Sequence, residues 1–276
     1  MSAFVCETCG VQFAPVPAHP EEPPEACPIC VDERQYVGHK GQRWITNPEG
    51  LHASGRRNVI TELEPGLWGI DTTPSFGIGQ RGLLIRTPVG NVLWESGSLV
   101  DDESVDTVRA LGGIAMISAS HPHLVGSMVE WSHRFGNAPI VLHGADRDWT
   151  MRPDPAIRYW EGESHDPFPG SGLTLIRVGG HFLGAQILLW PDGADNKGAL
   201  FCGDVPQVAA DRRWVSFLYS YPNMIPLAAA EVRRIATTLA GYSFDRIYGS
   251  WSYRVVDSDG SGVVARSAER YVAHLQ

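Results

Sequence analysis

The chain has 276 residues, 43% of them apolar and 19% charged, which is enough for one large domain and a small appendage. Its formal charge of -9 argues against nucleic acid as a partner, because such binding draws on clustered Lys and Arg. No run approaches the roughly 20 apolar residues of a membrane helix, and the opening Met1–Cys6 has no basic leader, so a cytoplasmic protein that does not engage membranes is expected.

Residues 1–42 read as a separate module. Cys6-Glu7-Thr8-Cys9-Gly10 and Cys27-Pro28-Ile29-Cys30 are two C-x-x-C pairs, separated by a segment that includes the Pro- and Glu-rich stretch from Pro15 to Glu25. That spacing turns both sulfurs of each pair toward one ion and predicts a tetrahedral S4 site for zinc or iron. The turns resemble those of rubredoxins and zinc ribbons. A structural zinc would replace a core too small to fold alone, whereas iron would carry electrons.

Residues 43–57 read as a linker. From Asn58, the short apolar runs Val59-Ile60, Leu67–Ile70, Gly82–Ile85 and Val92–Trp94 predict successive antiparallel strands, with Thr87–Asn91 as a hairpin turn. Beyond Ser98 strand and helix alternate: helices are predicted near 101–111, 127–135, 227–239 and 267–275, and strands at 114–118, 139–142, 173–178, 185–190 and 199–202. A β-rich half followed by mixed units predicts an α/β protein in which two sheets pack together with helices outside.

Three predicted strand ends in the body carry candidate ligands. His121-Pro122-His123 follows the strand ending at Ser118, His181 follows Gly179-Gly180, and Asp204 follows Cys202-Gly203. Three imidazoles and a carboxylate suit zinc, and three protein ligands leave a tetrahedral ion one open position. His143 with Asp146 and Asp148 reads as structural, at the start of a short helix, and Cys202 reads as a buried, inert thiol.

The order of Trp94-Glu95-Ser96-Gly97, His121-x-His123, Gly180-His181 and Gly203-Asp204 resembles the metallo-β-lactamase superfamily over residues 58–276. The resemblance implies a four-layer αββα fold. His121, His123 and His181 would form the first metal site, and Asp204 would stand where the family bridges two metals. The family's H-x-H-x-D-H pattern would place an aspartate and a histidine at Val125 and Gly126, and a late histidine near Tyr248–Trp251, where none occurs. One zinc or iron is therefore expected at the histidines, not two.

The chemistry this implies is hydrolysis of a small-molecule ester, lactone or thioester by a mononuclear zinc-bound hydroxide. Ser127, Glu130 or Asp204 would act on the attacking water. The aromatic stretch Trp214–Pro222 would wall the pocket, with Arg212 or Arg213 available to an acidic substrate. Two other functions fit the same residues: a rubredoxin-coupled oxidoreductase, prompted by the knuckle beside this fold as in flavodiiron proteins, and a catalytically inactive metal-binding or interaction protein.

Overall fold

In a computed structural model of the chain, residues 3–15, 19–47 and 49–275 are described. Met1 and Ser2 of the opening, residues 16–18 of the Pro- and Glu-rich stretch, Pro48 of the expected linker and Gln276 lie outside them.

Two sheets form the body. The first has seven strands in the spatial order Ile157–Trp160, Ile140–His143, Met116–Ser118, Val92–Trp94, Gly82–Ile85, Leu67–Thr73 and Arg57–Glu64. It begins as an antiparallel meander and becomes parallel from Val92–Trp94 onward. The second has six strands in the order Ser164–His165, Thr174–Arg177, Gln186–Trp190, Ala199–Phe201, Arg246–Tyr248 and Val255–Val256.

The side-chain period of two explains why these strands read as unbroken apolar runs, since both faces are buried. In the first sheet Leu83, Val92, Trp94 and Met116 meet Leu188, Trp190 and Phe201 of the second in a central layer. Their neighbours Leu84, Leu93 and Ile117 point the other way, toward Val105 and Val108 of helix Asp102–Ala110 and Val129 and Trp131 of helix Met128–Arg134. In the second sheet Ile187, Leu189 and Leu200 face Val232 and Ile235 of helix Ala229–Leu239 and Val263 and Val264 of helix Gly260–Ala273. The result is the expected four-layer αββα sandwich.

Four strands escaped the sequence pattern: Ile157–Trp160, Ser164–His165, Arg246–Tyr248 and Val255–Val256. Each is short; three form sheet edges and Arg246–Tyr248 lies next to one, where apolar patterning is weakest. The last helix starts at Gly260 rather than near Ser267. The Ser261 hydroxyl and the Asp259 amide tie the helix start to Phe244 and Asp245.

The knuckle is a three-stranded sheet in the order Gln12–Phe13, Ala3–Cys6 and Trp44–Asn47. Its third strand comes from the stretch expected to be a linker, which also holds the helix Glu49–Ala53. A two-stranded ribbon offers little pairing, and Trp44–Asn47 supplies the strand that closes it. All four knuckle cysteines belong to the same apolar cluster as Trp68, Ile70 and Trp131 of the body.

Gly126 sits at the join between knuckle and body. Its carbonyl accepts the Gln12 amide at 3.1 Å. Its φ is +47°, and a Cβ there would lie 2.1 Å from the Ser96 carbonyl oxygen. Both the backbone conformation and the space require glycine. Gly126→Ala should therefore destabilise the protein by more than about 2 kcal/mol, seen as a lower urea midpoint with an unchanged m-value.

Candidate metal centre

Each ligand candidate is delivered by the turn that follows a strand. His121 is extended after Met116–Ser118, and Pro122 opens a 3-10 turn, Pro122–Leu124, that presents His123. His181 follows Thr174–Arg177 through Gly179-Gly180, and Asp204 follows Ala199–Phe201. Gly203 permits the approach, because a Cβ there would lie 2.2 Å from the Ser120 hydroxyl and 2.9 Å from Nδ1 of His121. One donor atom from each of His121, His123, His181 and Asp204 falls within 4.8 Å of the others, and all four residues are buried.

Hydrogen bonds settle which nitrogens of His121 and His181 are left bare. The Tyr219 carbonyl can only accept, so Nδ1 of His181, 2.7 Å away, carries the proton and its Nε2 is a bare lone pair. Ser120 donates to Oε1 of Glu95 at 2.7 Å and accepts from Nδ1 of His121 at 2.9 Å, which leaves Nε2 of His121 bare. That Nε2 is buried with no hydrogen-bond partner. Nε2 of His181 lies 3.2 Å from Nδ1 of His123, and Oδ2 of Asp204 lies 3.4 to 3.8 Å from the three inward nitrogens.

Convergent lone pairs repel unless a cation lies among them, so these residues fit a metal ion. The electrostatics agree. Burial holds His123 down to about 4 and His181 well below the usual imidazole range, keeping both neutral. Burial alone would raise Asp204, but its contacts with His121 and His123 prevail and hold the carboxylate well below its ordinary range. Its Oδ1 accepts from Gln207 at 2.8 Å, and its backbone carbonyl accepts the Tyr221 hydroxyl at 2.7 Å.

The knuckle forms the second cluster. Sγ of Cys6 is 3.6 Å from that of Cys30, and Cys9 is 3.7 Å from Cys27. A tetrahedral ion with bonds of about 2.3 Å would set its sulfurs about 3.8 Å apart. All four cysteines are free thiols, and Gln42 donates to Sγ of Cys6 at 3.2 Å. Both clusters therefore have the donors and spacing of metal sites.

Comparison with known proteins places the chain. It is 42% identical over 275 residues to the uncharacterized protein YmaE of Bacillus subtilis (strain 168), covering 100% of this chain and 97% of that protein. The chain belongs to the YmaE family. No family model matches it.

Solved structures show the fold of the body. The Cronobacter sakazakii metallo-β-lactamase with a HARLDQ motif aligns with a TM-score of 0.51 at 19% identity, over 78% of this chain and 90% of that one. The Pontibacter korlensis metallo-β-lactamase aligns at 0.58 and 13%, over 78% and 99%, and the DIM-1 metallo-β-lactamase at 0.59 and 11%, over 80% and 98%. The chain thus carries the metallo-β-lactamase fold, preceded by a four-cysteine knuckle.

The structure does not bring every candidate to the histidines. Ser127 is buried, donating to the Ser98 carbonyl and accepting from Asn47, so it ties the body to the knuckle's third strand instead of activating water. Glu130 pairs with Arg152 at 3.2 Å on the helix Met128–Arg134. Val125 is buried against the knuckle, and Gly126 has no room for a side chain.

Near the expected late histidine, Ser250 is buried and donates to the Cys202 carbonyl, while the Trp251 indole donates to the Ile78 carbonyl. Arg213 pairs with Asp211 in solvent, so it is not offered to an acidic substrate at the centre. His143 and Asp146 are structural: His143 bonds the Gly162 carbonyl and the Ala145 amide, and Asp146 accepts the Gly184 amide.

Two supports went unassigned in the sequence. Glu95 has φ +60°, which turns it out of the strand Val92–Trp94 toward Ser120. Burial pushes its carboxyl up to about 8, against the bond from Ser120. An acid between an apolar strand and a Ser-Gly turn was the available signal. Arg34, from the knuckle, had none. It donates to the His181 carbonyl at 3.0 Å and lies 3.8 Å over the Phe182 ring, whose centroid is 5.0 to 5.6 Å from all three imidazoles.

Elemental analysis should find two ions per chain, one lost in His181→Ala and the other in Cys27→Ser. Ser120→Ala frees the His121 ring and should weaken the His-centre ion about 10- to 100-fold in chelator competition, leaving the knuckle ion in place. Glu95 binds a proton more tightly folded than unfolded, so its contribution is full below about pH 4.5 and fades as pH rises toward 8. In the His181→Ala background, adding Glu95→Gln should flatten the loss of stability between those limits, read from urea midpoints.

Proposed function

We propose that this protein is a metal-dependent hydrolase of a small-molecule ester, lactone or thioester, with one zinc at the histidines and a structural zinc in the knuckle. The observation that carries this reading is the convergence of donor atoms from His121, His123 and His181, with the Asp204 carboxylate beside them, at a depression whose lining includes His123 and Asp204. An ion held there supplies Lewis acidity toward a carbonyl and a lowered pKa for water.

The chain's own residues do the rest. The imidazoles of His121, His123 and His181 are oriented by Ser120, Phe182 and Tyr219, and burial keeps His123 and His181 neutral. Asp204 stays ionised at the floor of the depression, placed to accept the proton of an attacking water. The Gln207 amide fixes the rotation of that carboxylate. Val125 and Gly126 offer no second set of ligands, so one ion carries the charge that two would share.

Zinc-loaded protein should hydrolyse members of a panel of aryl esters, lactones and acyl thioesters. Turnover should fall by at least about 1,000-fold in His181→Ala, while Glu130→Gln stays within about twofold of the wild type. Protein with two ions per chain and no turnover of the panel would refute the assignment.

A further inference from the structure

The depression over the His centre is completed by the knuckle. His123 and Asp204 share its lining with Arg34, Gln35 and Tyr36, which begin four residues after Cys30. This segment is built into place. The Glu33 carbonyl accepts from the Ser220 hydroxyl and the Asn223 amide, and Arg34 holds the His181 carbonyl and the Phe182 face. The ion of the S4 cluster would fix Cys27 and Cys30 at the segment's start.

We propose that the knuckle selects the substrate: Gln35 and Tyr36 are specificity-determining residues of the His centre, and they receive an uncharged aromatic or apolar acyl group. The proposal rests on the hydrolase reading. Tyr36 is 51% exposed, leaving its ring open to a ligand, while Gln35 is 7% exposed and its side-chain carbonyl accepts the Tyr36 amide. Across from them stand Ile78, Tyr221 and Trp251.

Charge in the lining is already used. Asp204 faces the imidazoles, and Arg34 is paired with Asp32. Gln35 and Gln207 are neutral. Apart from the ion at the His centre, which the scissile carbonyl would occupy, a carboxylate on the acyl group would shed its water here without gaining a free side-chain cation, whereas a ring would stack on Tyr36.

The test compares p-nitrophenyl phenylacetate with the p-nitrophenyl hemisuccinate ester on wild type, Tyr36→Ala and Gln35→Ala, with metal content measured for each. Wild type should favour phenylacetate in kcat/KM by at least about tenfold. Both variants should keep two ions per chain and lose about five- to tenfold of that preference, mainly through KM. An unchanged preference in both variants, or a wild-type preference for the hemisuccinate, overturns the proposal.

If the wild type cleaves neither ester, the hydrolase reading falls separately. The pocket assignment is then read from binding of the intact, uncharged p-nitrophenyl phenylacetate ester through tryptophan fluorescence, with Trp251→Phe as the signal control. Binding at least about fivefold weaker in Tyr36→Ala supports it; equal binding, or none, overturns it.

Discussion

The constraint on which the rest depends is the gathering of metal-binding donor atoms in a buried space. Nε2 of His121, Nδ1 of His123, Nε2 of His181 and Oδ2 of Asp204 lie within a few ångströms of one another. Without a cation such an arrangement costs folding free energy, so the surroundings must hold each ring against its repulsion. The Glu95–Ser120–His121 chain, the Tyr219 carbonyl and the Phe182 face are those restraints.

The restraints come from all parts of the molecule. Glu95 belongs to the first sheet's β-rich half, Tyr219 to the hairpin beyond Asp204, and Arg34 to the knuckle. The knuckle is thus more than an appended ribbon: its cysteines share an apolar layer with the body's helices, and its chain reaches the rim of the His centre. The glycine that gives the knuckle its seat, Gly126, occupies a position where the metallo-β-lactamase resemblance would place a second-site ligand. Tight backbone approach there leaves no room for that ligand.

Much of the centre was legible because its signals are local. Two residues between paired cysteines, one between His121 and His123, and a Gly before His181 and Asp204 are short-range patterns with a direct chemical meaning. Continuous apolar runs such as Gln186–Trp190 likewise reported strands buried on both faces. Ser127 and Glu130 misled because nearness to the His motif in sequence is not nearness in space. The turn after Leu124 carries them away, to Asn47 and Arg152.

The sequence by itself determined the two donor sets, the layered α/β class and the loss of second-site ligands, since each depends on residue identity at fixed short spacing. Only the tertiary structure decided that Trp44–Asn47 closes the knuckle, that Glu95 and Ser120 orient His121, and that Arg34 to Tyr36 overlie the centre. The Glu95–Ser120 and Arg34–His181 contacts span 25 and 147 residues. Pairings at such separations are set by how whole layers pack, and no local pattern of residue types encodes them.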